Sequence, residues 1–356
     1  MTLPGALKRA APLLIALGAV AAGALFMMVG LELAGYDSLT AMAALWRGAF
    51  GSWYAFSSAT MVRAVPLIVI GLGFAFALQG GALNIGAEGQ FYAGAIAATW
   101  VGLHVGAWPG PVAMLALWLA AALAGGLWVA LPVFLKVRYG VFEAISTLLL
   151  NFVALSLVSY MVQGPLQEAS GIYPQSDQIA RAARIPLIAG TRLHWGIVVT
   201  VSLAAVIWFV LNKTLWGFHL RAVGTGPPAA AVTGRVNGPK LLAAALLWSA
   251  ALAGLAGGFE IGGVSYALYQ NLSPGYGFTA IAVALLARLN PWGIILTGVL
   301  FGALEAGAGA MQRDAGVPSV AVYVVEAAVI VVALLANASG ALARSAGRSA
   351  VAQVGT

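Results

Sequence analysis

Four polar residues near the middle of the chain are spaced for chemistry on a single surface. Glu143, Ser146, Thr147 and Asn151 lie at offsets of three, four and eight, which a helix of 3.6 residues per turn brings to roughly one face. Hydroxyl and amide groups can replace the water hydrogen bonds of a neutral polar solute without holding it by a fixed charge. The same groups can bond helix to helix, at about 0.6 kcal/mol per contact, so pathway and packing both stay open at this point. A second cluster, Asn84, Glu88 and Gln90, sits in the string GGALNIGAEGQ at residues 80–90. There Glu88 can accept from the free N–H groups at the start of a following helix, or it can belong to a gate.

Other ionisable groups are few. Glu260, Glu305 and Glu326 fall within or near the ends of the last apolar runs, where a charge at a bilayer centre costs about 2.5–3.5 kcal/mol on insertion scales. They must face protein or water, either as an ion relay or as hydrogen-bonded packing. His104, His194 and His219 lie far apart near expected helix ends, which favours interfacial roles over metal binding or proton transfer. No phosphate-binding GxxxxGK followed by Ser or Thr occurs, and no HExxH or EF-hand loop. The string Gly224-Thr225-Gly226-Pro227-Pro228-Ala229 follows an apolar helix and carries two prolines where a dinucleotide site needs a helix start on phosphate. With no cysteine, disulfides, Cys-ligated zinc, iron–sulfur clusters and thiol nucleophiles are excluded. No catalytic residue, metal site or cofactor is expected, so ATP hydrolysis, if the chain uses it, must sit on a separate subunit.

The elements that position these residues follow from composition. The chain has 356 residues, 62% hydrophobic and 8% charged, against about 25% charged in an ordinary soluble domain. Such a chain is an all-α polytopic membrane protein, which excludes soluble enzymes and nucleic-acid binders. Its 45 Gly and 15 Pro are scattered through apolar sequence, as close-packed and locally broken membrane helices require. Gly258 with Gly262, and Gly298 with Gly302, have the spacing for close helix approach. About 20 apolar residues cross a bilayer, and ten runs qualify: residues 10–33, 64–78, 91–104, 111–135, 141–163, 195–212, 241–262, 277–287, 291–311 and 317–337. The first exceeds the apolar core of a cleavable signal peptide and reads as a retained helix.

Placing Lys8 and Arg9 inside and alternating ten crossings puts eleven of the 17 basic residues inside, which predicts cytoplasmic termini. Residues 34–62 and 164–194 are then outer segments, long enough for short surface helices. Residues 213–240 form the one sizeable inner loop, where Thr225 can cap a short helix that Pro227 and Pro228 begin, residues 229–232 extend and Gly234 ends. Ten crossings divide into five plus five, and an odd half-length inverts the second half. The Gly-rich breaks at 80–90 and 271–278 occupy corresponding places, as an inverted repeat of broken helices would have them.

These motifs resemble the membrane permeases of ATP-binding-cassette importers, in the branch handling branched-chain amino acids, ribose-type sugars and nucleosides. ALNIGAEGQ (residues 82–90), EAISTLLLN (143–151) and SPGYGFTAIAVALLARLNPWGI (273–294) match family segments in order, and RAVG (221–224) occupies the place of the coupling motif. The resemblance covers residues 66–312 and is strongest to nucleoside and simple-sugar permeases. The family's coupling segment continues with Asn-Pro and an acid, whereas this chain reads Thr225-Gly226-Pro227-Pro228-Ala229. The resemblance implies a single permease domain over residues 1–356, with a coupling loop at 213–240, in a bacterial plasma membrane. It implies two cytoplasmic ATP-binding subunits, a second permease subunit and an external binding protein or lipoprotein as partners, beside membrane lipid. Asn84, Glu88, Gln90, Glu143, Ser146, Thr147, Asn151 and Tyr276 are its expected pathway residues. Arg221, Gly224, Pro227, Pro228, Ala229 and Ala230 are its expected ATPase contacts. Riboflavin or another small solute, and ion coupling through the late acids, are the alternatives.

Overall fold

The computed structural model describes residues 18, 21, 23–226, 236–318, 320 and 324. Among them the chain is helical with no strand. In order the helices are α1 (Gly23–Leu33), α2 (Ser38–Phe50), α3 (Trp53–Gln79), α4 (Ala87–His104), α5 (Gly110–Tyr139), α6 (Glu143–Val162), α7 (Gly196–Lys213), α8 (Leu215–Thr225), α9 (Gly238–Ser265), α10 (Tyr276–Leu286) and α11 (Pro291–Ala315). Six of these, α3, α5, α6, α7, α9 and α11, are long and apolar enough to cross a membrane. α4 is 18 residues long but opens on the polar string AEGQ, and α10 has only 11 residues. Of the expected run 10–33 the second half is described, as α1, while the run 317–337 lies largely outside the described residues, with Lys8, Arg9 and Glu326.

Two compact units divide the chain. In the unit of Met1–Ser52 and Leu304–Thr356, Asp37 caps α2, its Oδ1 accepting from the Leu39 and Thr40 N–H groups at 3.0 and 3.1 Å. The Thr40 hydroxyl, donating to Asp37 Oδ2 at 2.6 Å, together with these backbone bonds, holds its carboxyl below the usual carboxylate range. Gly48 and Gly307 remove the side chains that would otherwise separate α2 from the end of α11, where they meet Ala310 and Leu45. The exposed Arg47–Asp314 pair, 3.5 Å apart, adds little.

In the unit Trp53–Ala303 the packing is set by glycine at the crossing of α4, α5 and α9. Gly94 faces Gly254, Gly254 also faces Gly125, and Gly257 lies on the Phe91 carbonyl, so a methyl at any of these positions would strike backbone. Without a hydrophobic drive between helices in lipid, such close approach maximises dispersion contacts. Gly258 rests on Ala121, Gly262 on Ile185, Gly298 on Ile68 and Gly302 on the Thr60 carbonyl. The α6–α7 connection has one 3-10 turn, Arg181–Ala183, and lies along the end of α9 and the chain beyond it. Ser176, Ile179 and Ile185 donate their N–H groups to the carbonyls of Leu268, Tyr266 and Gly262, each at 2.8 Å. Ile179 and Ile185 are buried there.

Candidate functional site

After α3 the chain runs without regular structure from Ala82 to Gly86, and its backbone groups need partners. α6 supplies them. The Leu83 N–H donates to Glu143 Oε1 (3.3 Å), the Ile85 N–H to Thr147 Oγ1 (3.3 Å), and the Gly89 N–H to Asn151 Oδ1 (2.8 Å). Asn151 Nδ2 returns a bond to the Ile85 carbonyl at 3.0 Å. The match is geometric: four residues of helix advance about 6 Å, and two residues of extended chain about 6.6 Å. Glu143 and Thr147, at i and i+4, therefore keep step with Leu83 and Ile85, while Asn151 spans from the Ile85 carbonyl to Gly89 in the first turn of α4. Gly86 and Gly89 allow the approach, since a Cβ at either would lie under 3 Å from Thr147 or Asn151. Glu143 is also ion-paired to Lys136 at 2.7 Å, which balances its buried charge.

Asn84 turns inward from the same segment. Its Nδ2 donates to Gln90 Oε1 (2.8 Å) and Ser249 Oγ (3.0 Å), and its Oδ1 accepts from Gln90 Nε2 (2.9 Å) and the Gly86 N–H (3.1 Å). Buried Asn84, Gln90 and Ser249 thus tie the break to α9. Glu88 reaches a different helix from the one it begins. Its Oε2 accepts the N–H of Gly277, in the first turn of α10, at 2.7 Å. Ser273 Oγ accepts from the Gly275 and Tyr276 N–H groups at 3.0 and 2.9 Å. The starts of α4 and α10 therefore meet, Gly277 lying against the Ala87–Glu88 backbone with no room for a Cβ. A carboxylate between two helix N-termini is favourably placed for both dipoles.

The remaining site expectations are distributed more widely. Tyr276 opens α10, buried, its ring 5.9 Å from that of Phe91. The Ser146 hydroxyl donates to the Glu143 carbonyl of its own helix (3.1 Å) and stands outside the network among the described residues. Arg221 donates to the Leu211 carbonyl at the end of α7, and Gly224 sits directly on Gln79 and Gly81 at the start of the break. Thr225 ends α8, its hydroxyl donating to the Arg221 carbonyl at 2.8 Å; the short helix it was expected to cap lies outside the described residues. Pro227, Pro228, Ala229 and Ala230 lie outside the described residues. Glu260 is buried near the end of α9. Among the described residues no group of three His, Asp or Glu side chains could hold a metal. Sequence reasoning missed Lys136, Ser249 and Ser273, whose partners are brought near only by the fold.

The chain matches the family described as branched-chain amino acid transport system, permease component, over residues 56–334. It is 39% identical over 326 residues to a guanosine ABC transporter permease protein of Bacillus subtilis, covering 90% of this chain and 91% of the relative. A glucose ABC transporter permease protein of Haloferax volcanii is 35% identical over 340 residues, 92% of this chain and 88% of the relative. A nucleoside ABC transporter permease protein of Lactococcus lactis subsp. cremoris is 29% identical, with 83% of each chain covered. No solved structure matches. The long apolar helices, the bonded helix breaks and these matches agree: the chain is a multi-pass membrane protein and belongs to the permease-component family of ABC importers.

Proposed function

We propose that the chain forms the membrane pathway of an ATP-driven importer for a nucleoside or simple sugar, working by alternating access. The observation that carries this reading is a mechanical chain. α8 bears Arg221 and Gly224 and packs on Gly81. From there the Leu83–Gly89 segment is bonded to α6, and Glu88 to α10. A displacement of α8 is thereby passed to both breaks. The network residues Asn84, Glu88, Gln90, Glu143, Thr147 and Asn151 shape the pathway wall through these bonds, with Tyr276 at its second break; Ser146 lies beside them.

Residues 213–240 act as the coupling loop of a single permease domain, with Arg221 to Ala230 at the ATPase contact. Two ATP-binding subunits, a second permease subunit and an external binding protein complete the assembly, and hydrolysis belongs to the ATP-binding subunits. Ten crossings with both termini cytoplasmic, as five plus five inverted helices, fit the basic-residue bias and the meeting of the two breaks. Uptake of labelled guanosine and glucose, with and without the ATP-binding subunit, tests the reading. Import should stop without that subunit and survive a protonophore; the opposite pattern would make the chain an ion-coupled carrier.

A further inference from the structure

A polar cavity of about 430 Å³ lies between α4, α6 and the α9–α10 connection, apart from the bonded network, lined by Tyr92, Leu155, Ser156, Val158, Ser159, Gln270 and Asn271. Its volume is in the range of small-molecule sites, about 300–1,000 Å³. No charged side chain lines it, yet its uncharged groups have capacity left over. Ser159 Oγ accepts from both Gln163 Nε2 and Gln270 Nε2, each at 2.7 Å, which fills its two lone pairs and leaves its proton to donate. Tyr92 Oη accepts the Ser273 N–H at 3.1 Å, so its proton too is available. Among the described residues Gln270 Oε1 has no hydrogen-bond partner. Ser156 and Asn271, both exposed and both lining this cavity, make no side-chain hydrogen bond among the described residues.

Spare donors at Ser159 and Tyr92, a spare acceptor at Gln270, and groups of both kinds at Ser156 and Asn271 match a ligand whose own groups both donate and accept. Sugar hydroxyls do so. A zwitterionic amino acid would need a counter-charge that the lining lacks, at the cost of desolvating two ions. Leu155 and Val158 supply the apolar wall for ring carbons.

We propose that this cavity is a recognition subsite for a neutral polyhydroxylated ring, the furanose of a nucleoside or a free hexose, carried by the importer. The assignment rests on the proposed transport function and adds the residues that read the solute. Ser156→Ala and Asn271→Gly remove ligand-facing groups with no role in the bonding of the fold, and glycine accepts the φ of 57° at position 271. In cells carrying the complete transporter at equal permease abundance, uptake of labelled guanosine and glucose is measured for wild type and both variants. Whichever probe the wild type carries should enter about three- to tenfold more slowly in the variants, as loss of one or two hydrogen bonds implies. The corresponding deoxy analogues should be less affected, because their partner group is already missing. Unchanged uptake in both variants overturns the subsite and leaves the importer reading standing. Wild-type uptake of neither probe sinks the solute class and the subsite with it.

Discussion

Asn151 holds two backbone groups at once, the Gly89 N–H and the Ile85 carbonyl, and is itself buried. Asn151→Leu keeps the volume but strands both groups at about 1–3 kcal/mol each. The expected outcome is a permease that still inserts and assembles, melts at lower temperature and imports several-fold more slowly; normal uptake at normal abundance would remove the residue from the pathway wall. His194 gives a pH dependence. Its buried ring accepts the Gly196 N–H at Nδ1 (3.2 Å), and burial pushes its pKa down from 6.5 to about 4. The unfolded chain therefore takes up a proton that the folded one refuses. Stability should be full above about pH 6.5 and fall toward pH 4, by at most ~1.4 kcal/mol per pH unit. Melting of the purified complex across that range checks this, and His194→Gln should flatten the slope. At this scale the spacing of Glu143, Thr147 and Asn151 was legible because a helix imposes its own period. Their partners, and the Asn84–Ser249 bond across 165 residues, were not, because nothing local encodes which strand of chain will lie alongside.

In the proposed mechanism α8 and the segment after it carry two separate tasks. Gly224, at its C-terminal end, abuts Gln79 and Gly81, so Gly224→Ala must push α8 away from the break. The expected result is a complex that still co-purifies with its ATP-binding subunit but no longer links hydrolysis to import. Ala230→Glu, in the proposed ATPase contact beyond Gly226, should instead reduce co-purification itself, since a charge placed among small residues there costs desolvation and packing. If both variants fail in the same way, α8 and the segment after it do not divide these tasks. The long elements were readable: the run expected at 111–135 lies within Gly110–Tyr139, and that at 195–212 is nearly Gly196–Lys213. α4 was read four residues short because Glu88 and Gln90 interrupt its apolar pattern, although both side chains are buried and bonded. α8 was missed since LWGFHLRAVGT is too short and mixed for a crossing; its anchor is tertiary, Trp216 stacking on Phe76 with ring centroids 5.2 Å apart. The Ser156, Ser159, Gln163 row did carry a signal, polar residues at helical spacing inside an apolar run.

For the whole molecule the testable quantity is topology, and the composition makes the test direct. The chain has no cysteine, so a single introduced thiol reports its own compartment. Ile172 is 73% exposed in the α6–α7 connection. Beside it Glu168 accepts from Gln175 Nε2, the Ser170 hydroxyl and the Tyr173 N–H, bonds that hold the turn and keep its carboxyl below the usual carboxylate range. A cysteine in place of Ile172 disturbs none of those partners. With ten crossings, five separate this connection from Thr356: α7, α9, α10, α11 and the apolar run 317–337. An odd number puts the two positions on opposite sides, and the excess of Lys and Arg in the other set of loops predicts the outer side for Ile172. A membrane-impermeant maleimide should label Ile172→Cys in intact cells, and Thr356→Cys only after permeabilisation. Labelling of both, or of neither, in intact cells would make the number of crossings between them even, which removes either α10 or the last run from the set of spans and with it the five-plus-five division.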